Sequence, residues 1–248
     1  MTTITTSAEG LVEGAVDVPA QDRAIPAYRA MPSTGAVCPT ILVVQEIFGV
    51  HDWIRDVCRR FAKLGYFAIA PELYARQGDP SRIADTQALI RDIVAKVPDE
   101  QVMRDLDSTV AYAQSTGKAD TSRLGVTGFC WGGRIVWMYA AHNPRVKAAI
   151  AWYGPVARVY HEGDRTALDV APNIRAAVLG LYGGADPGIP VETTQRIQDA
   201  MRKAGKTVEI VVYPDAPHAF FADYRPSYRK EPSAAAWARA VDWFSRYL

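Results

Sequence analysis

Short apolar runs punctuated by glycine, proline and polar clusters alternate along this chain with longer amphipathic stretches. The runs Thr40–Gln45, Tyr66–Pro71, Arg123–Phe129, Val146–Trp152, Ala176–Tyr182 and Thr207–Tyr213 predict strands, and several are apolar throughout, as strands covered on both faces are. Between them, apolar residues recur at helical spacing. That spacing predicts helices over Trp53–Leu64, stopped by Gly65, over Ser81–Ala95 and over Glu100–Gln114, the last two separated by Val97-Pro98-Asp99. Further helices are expected up to His142, where Asn143-Pro144 stops the pattern, over Glu192–Ala204, closed by Gly205, and over Ala234–Tyr247. The stretch from Gly10 to Ala30 is broken by Pro19 and Pro26 and carries Gln21-Asp22-Arg23 as a turn, so it predicts a hairpin of two edge strands. Arg158 to Pro172 is polar and irregular and reads as a surface loop containing His161. Strands alternating with helices after an antiparallel start predict an α/β fold, a doubly wound, mostly parallel sheet with an N-terminal antiparallel hairpin.

Composition narrows the function classes. A chain of 248 residues suits a single α/β domain spanning residues 1–248 with a large core. A formal net charge of +1 supplies no global attraction for nucleic acid or an anionic membrane, so the expected partner is a small molecule, for a monomer or homodimer. Three cysteines, without metal-ligand spacing, argue against a disulfide framework or a structural zinc site and suit a reducing compartment; the expectation is a cytoplasmic protein with no metal and no cofactor. The first residues lack a secretory signal pattern, and no apolar stretch is long enough to span a bilayer.

Candidate chemistry gathers at strand ends. Gly128-Phe129-Cys130-Trp131-Gly132-Gly133 follows an apolar run and leads into a helix, which is the G-x-S-x-G nucleophile elbow with cysteine in the central position. Such a turn exposes the sulfur near the positive end of the next helix, which favours a thiolate; the other reading is a packed core cysteine beside a glycine-rich turn. Asp186, in Gly183-Gly184-Ala185-Asp186, follows the next-to-last strand, and His218, in Pro214-Asp215-Ala216-Pro217-His218, follows the last. The order Cys130, Asp186, His218 matches nucleophile, acid and histidine in the α/β-hydrolase arrangement. Taken singly, Asp186 also fits an Asx-turn and His218 a loop histidine. As a triad, His218 would shuttle a proton, Asp186 would fix its tautomer, and Cys130 would form a thioester that water cleaves. The backbone N–H groups of Trp131 and Ile47 would hold the oxyanion. Glu46 stands where the first interior strand ends, as a ligand-facing carboxylate or a solvated loop acid. Phe48, Tyr74, Trp131 and Tyr153 fit either an aromatic pocket wall or core packing.

On Gln45-Glu46-Ile47-Phe48-Gly49-Val50, Pro71-Glu72-Leu73-Tyr74-Ala75-Arg76-Gln77, Gly128-Phe129-Cys130-Trp131-Gly132-Gly133, Asp186 in its turn and His218-Ala219-Phe220, the chain resembles the dienelactone hydrolase family over nearly its whole length. The resemblance implies an ester or lactone hydrolase with a Cys130, Asp186, His218 triad. It also implies that Glu46 contacts the resting thiol and helps to generate the thiolate when substrate arrives. A carboxylate beside sulfur disfavours a second negative charge, which keeps the thiol neutral and less prone to oxidation. One position departs from the pattern: dienelactone-degrading members carry a carboxylate-binding arginine four residues after the histidine, and this chain has Ala222 there. Arg225 and Arg76 are close in sequence or in a matching loop, but spacing assigns the task to neither. Two other classes compete: a thiol-based redox or peroxide-responsive protein using Cys130, which lacks a nearby resolving cysteine, and a catalytically silent binding module on the same fold.

Overall fold

The computed structural model describes residues 3–160 and 164–248. His161 lies outside them. β1 (Leu11–Pro19) and β2 (Ala24–Pro32) pair antiparallel from Leu11 opposite Pro32 to Pro19 opposite Ala24. The turn between them is closed by the Ala20 N–H on the Arg23 carbonyl at 3.1 Å. The hairpin is as expected, but only β1 lies at the sheet edge. β2 also pairs antiparallel with β4 (Phe67–Pro71), from Ala27 opposite Pro71 to Ala30 opposite Ala68. Pro26 does not prevent this, because that ladder begins one residue after it and asks for no Pro26 N–H.

β3 (Cys38–Val44) is a β-branched and leucine run buried along nearly its whole length, and it pairs parallel with β4. α1 (Asp52–Lys63) follows and turns Trp53, Ile54, Val57, Cys58, Phe61 and Ala62 inward; Gly65, at φ 93°, ends it with a conformation that costs other residues strain. The helix expected over Ser81–Ala95 is broken. A 3-10 turn (Pro80–Arg82), α2 (Thr86–Asp92) and a second 3-10 turn (Val94–Lys96) take its place. Asp79 accepts the Ser81 N–H at 3.0 Å and Asp85 the Ala88 N–H at 2.6 Å, so each aspartate starts a new element and interrupts a continuous helix. α3 (Asp99–Ser115) matches its expected span closely.

β5 (Ala119–Phe129) starts earlier than its apolar core suggests, then α4 (Trp131–His142) and β6 (Val146–Trp152) follow as expected. The polar stretch before Pro172 contains a helical turn, α5 (Ala167–Val170), held by a capping box in which the side-chain oxygens of Thr166 and Asp169 each accept the other's backbone N–H. β7 (Ala177–Gly183), α6 (Val191–Lys203), β8 (Val208–Tyr213) and α7 (Lys230–Tyr247) complete the chain. α7 begins before Ala234 because Pro232 falls in its first turn, where proline is tolerated.

The strands run in the order β1-β2-β4-β3-β5-β6-β7-β8, a mostly parallel eight-stranded sheet with an antiparallel start. By internal contacts the chain forms two compact units, one mainly Thr6–Leu124 and the other mainly Gly125–Val159 with Arg165–Leu248, with β5 contributing to both. No helix among the described residues is long and apolar enough to cross a membrane.

Candidate active site

In the second unit, β5 passes into α4 through one residue. Cys130 has φ 55° and ψ −115°, a region that non-glycine residues occupy at a cost of about 1–3 kcal/mol and mainly at functional sites. The strain is held by close packing: the Cys130 N–H donates to the Trp152 carbonyl at 3.0 Å. A Cβ on Gly133 would lie 2.5 Å from that same carbonyl oxygen, and one on Gly154 would lie 2.2 Å from the Gly133 carbonyl carbon. The elbow and the end of β6 therefore cross backbone to backbone, and Trp131, 2% exposed, opens α4 beside the sulfur.

Asp186 and His218 come from the ends of β7 and β8, and glycines again permit the approach. A Cβ on Gly183 would sit 2.2 Å from the Ala216 carbonyl oxygen, and one on Gly184 would sit 2.6 Å from that of Pro214. The Gly184 N–H donates to Tyr213 at 2.8 Å and the Ala185 N–H to Ala216 at 3.1 Å, which ties the two loops together. Across this clamp Asp186 Oδ2 meets His218 Nδ1 at 2.6 Å, while Asp186 Oδ1 accepts the Gly188 N–H at 2.8 Å. Asp186 thus makes the Asx-turn and the histidine contact together, one with each oxygen. On the other side of the ring, His218 Nε2 lies 3.1 Å from Cys130 Sγ. The structure brings these three residues into one hydrogen-bonded chain.

The imidazole is held from the flank as well. The Tyr153 ring meets it edge-on, with centroids 5.3 Å apart. Tyr153 is fully buried at φ 38°, a second strained non-glycine residue, and Ala219, directly after the histidine, is a third at φ 58°. Burial works against a charged imidazole, yet the hydrogen bonds to Asp186 and Cys130 and the negative charge of both outweigh it and push His218 up to about 10. The group favours an imidazolium beside sulfur. Position 222 is fully buried, its carbonyl accepting the N–H of the half-buried Arg225 at 2.9 Å.

The remaining expected site residues belong to the first unit. Glu46 follows β3 and is fully buried; a tight turn bridges it to Gly49, and its Oε1 lies 3.4 Å from His51 Nε2. Ile47 and Phe48 are half-buried in that turn, and the Phe48 ring stands edge-on to His51 at 6.3 Å. Tyr74 is fully buried. Arg76 is held by two carboxylates: its guanidinium bonds Asp22 at 2.8 and 2.5 Å and Asp105 at 2.6 and 3.0 Å. These bonds drive its proton affinity up and hold Asp22 down at about 2.

Sequence reasoning passed over His51, the strain at Tyr153 and Ala219, and the glycine contacts that align the loops. The last had a signal in the sequence, since Gly132-Gly133 and Gly183-Gly184 each stand just past a strand. Among the described residues, no cluster of histidine, cysteine and carboxylate side chains has the geometry of a metal site.

The sequence model of the dienelactone hydrolase family matches residues 25–248. A "Putative carboxymethylenebutenolidase" of Methylorubrum extorquens is 63% identical over 252 residues, 99% of this chain and 85% of its own length. The crystal structure of a "Putative Dienelactone Hydrolase" from Klebsiella pneumoniae superposes with a TM-score of 0.92 at 48% identity, covering 96% of this chain and 99% of the other. A "Probable 2-oxo-3-(5-oxofuran-2-ylidene)propanoate lactonase" of Bradyrhizobium is 27% identical over 94% of each chain. This chain therefore belongs to the dienelactone hydrolase family, and is a hydrolase of the lactone and ester class on the α/β-hydrolase fold.

Proposed function

We propose that the chain cleaves carboxylic esters or lactones with Cys130 as nucleophile, His218 as proton shuttle and Asp186 as the residue that orients and charges it. The observation that carries this reading is the continuous line from Asp186 Oδ2 through His218 to Cys130 Sγ, with spans of 2.6 and 3.1 Å. The Cys130 thiolate attacks the carbonyl carbon, a C–S bond forms, and the carbonyl electron pair moves onto oxygen. The backbone N–H of Trp131, at the start of α4, stabilises that charge; losing such a donor costs about 2.7–4 kcal/mol of barrier. The oxyanion collapses, the ester C–O bond breaks, and His218 Nε2–H protonates the departing alkoxide. For a lactone, the alkoxide stays on the same molecule.

The thioester no longer carries a negative sulfur, so His218 loses one of the influences that raise it and stays neutral after giving up its proton, free to accept another. It takes a proton from water, the resulting hydroxide attacks the thioester, the C–S bond breaks, and thiolate and imidazolium are restored as the acid leaves. Substrates without a free carboxylate fit best, because Ala222 replaces the guanidinium and Arg76 is already bound to Asp22 and Asp105.

The test is incubation with p-nitrophenyl acetate, following nitrophenol release and intact mass together. The expected result is a transient acetyl adduct on Cys130 that Cys130→Ala abolishes. Sulfenic acid without an adduct would instead support a thiol-based redox protein, and inertness a binding module.

A further inference from the structure

Tyr182 lies in β7, one residue before the glycine that lets the Asp186 and His218 loops touch, and it is fully buried. Its ring has room because position 180 carries no side chain: a Cβ there would sit 2.7 Å from Tyr182 Cε2. A phenol hydroxyl removed from water needs partners, and this one both accepts and donates. It accepts the Trp137 Nε1–H of α4 at 3.2 Å and donates to the Gly154 carbonyl, just past β6, at 3.1 Å. Burial pushes the Tyr182 hydroxyl far above the ordinary phenol value, so it keeps the proton that this donation requires.

The bond to Gly154 bears on the residue before it. Tyr153 holds φ 38° between two fixed points: its own N–H donates to the Leu181 carbonyl at 2.8 Å, and the carbonyl of the next residue is gripped by Tyr182. Both holds come from adjacent positions of β7. A left-handed conformation at a tyrosine persists only where its surroundings over-determine it. Gly154 is also pressed against the elbow, since a Cβ on Gly133 would lie 2.8 Å from Gly154 Cα. The result aims the Tyr153 ring, which meets His218 edge-on with centroids 5.3 Å apart and planes at 65°, and Phe220 at 5.7 Å and 68°. Asp186 fixes the Nδ1 side of the imidazole at 2.6 Å, so the contact on its flank decides where Nε2 points.

We propose that Tyr182 is a positioning residue for His218: by holding Gly154 it locks Tyr153 in the conformation whose ring flanks the imidazole and keeps Nε2 on Cys130 Sγ. The inference rests on the reading of Cys130, His218 and Asp186 given above. Without the Tyr182 hydroxyl the Gly154 carbonyl is released, Tyr153 relaxes toward ordinary backbone angles, and its ring leaves the imidazole. The 3.1 Å contact between Nε2 and Sγ is then made for a smaller fraction of the time. Acylation and deacylation use the same imidazole, so both slow together and KM stays where it was.

The experiment measures kcat and KM for p-nitrophenyl acetate in the full-length protein, for wild type, Tyr182→Phe, Trp137→Phe, Tyr153→Leu and the double variant of Tyr182→Phe with Tyr153→Leu. Melting curves establish that each is folded. Tyr182→Phe removes the hydroxyl that grips Gly154, whereas Trp137→Phe removes a donor to that hydroxyl and leaves the grip in place. We expect Tyr182→Phe to lower kcat about tenfold with KM within about twofold of wild type, Tyr153→Leu to lower kcat at least as much, and the double variant to match Tyr153→Leu alone. Trp137→Phe should lower the melting temperature as Tyr182→Phe does, yet keep kcat within about twofold of wild type. If kcat merely follows melting temperature in both, if Tyr182→Phe or Tyr153→Leu leaves kcat unchanged, or if their effects multiply, the Tyr182 proposal fails while the triad reading stands. Should Tyr182→Phe not fold, Tyr153→Leu decides: a lower kcat at constant KM supports the proposal, and an unchanged kcat overturns it. If Cys130→Ala turns the ester over as fast as wild type, the triad reading fails and takes this one with it.

Discussion

His218 is subject to opposing influences, and their balance makes a pH prediction. Burial disfavours its charge, while Asp186 and Cys130 favour it strongly enough to lift the group to about 10. In the proposed mechanism the free enzyme attacks with the thiolate and imidazolium pair, so the alkaline limb of kcat/KM is expected near pH 10 and not near 6.5, the ordinary imidazole value. Asp186→Asn removes the carboxylate charge; the limb should move down and kcat should fall by roughly 10²–10⁴-fold. The same linkage acts on stability. A folded-state value above the unfolded one contributes stability that is complete below pH 6.5 and is lost as pH rises through about 10, so the difference in melting temperature between wild type and Asp186→Asn should be larger at pH 6 than at pH 8 and vanish in alkali. Cys130, Asp186 and His218 were legible in the sequence because each stands immediately past a strand-like run in a loop punctuated by glycine or proline. His51 was not. It reads as an ordinary residue before a helix, and only the return of the chain at Gly49 sets it against Glu46.

Between elements, the line from Asp186 through His218 to Cys130 is set by backbones that touch without side chains between them. Gly183→Ala is expected to separate the Asp186 loop from the His218 loop, since the new Cβ would sit 2.2 Å from the Ala216 carbonyl oxygen, which already accepts the Ala185 N–H. Overpacking of this kind costs about 1–3 kcal/mol or more, and the loss of activity should exceed what the loss of stability explains. Gly205→Ala makes the contrasting case: at φ +69° with no atom within 4 Å of the new Cβ, it should cost only about 1 kcal/mol of strain and leave kcat unchanged. Urea unfolding alongside ester turnover separates the two. Element identity was largely readable because buried strands are continuous apolar runs and most helices carry clear stops. The failures share a cause. Over Ser81–Ala95 helical periodicity continues while Asp79 and Asp85 cap new starts, and before Pro172 the pair Thr166 and Asp169 builds a helical turn from a stretch with little apolar pattern. Local side-chain hydrogen bonds decided both, and periodicity does not register them.

At the scale of the whole molecule, a net charge of +1 gives no general attraction for anionic substrates, so discrimination between neutral and carboxylate-bearing esters falls to individual cations. Arg76 has a visible competing role. It joins the β1–β2 turn through Asp22 to α3 through Asp105, residues separated from it by 54 and 29 positions, and sequence patterns give no hint of either partner. Asp105 has a side chain only 2% exposed, and burial pushes its carboxyl up against the opposing pull of Arg76. Arg76→Met would leave that carboxylate without its guanidinium, and breaking a buried pair on one side costs about 3–5 kcal/mol, reduced where water reaches the pair. A substrate-binding arginine would behave differently, since its removal would raise KM for esters bearing a carboxylate far more than for neutral ones. We expect Arg76→Met to lower stability by roughly 2–3 kcal/mol while changing KM for a neutral ester and for its carboxylate-bearing analogue by the same factor. A selective rise in KM for the anionic ester, with stability intact, would return Arg76 to substrate recognition and with it the case for an anionic lactone.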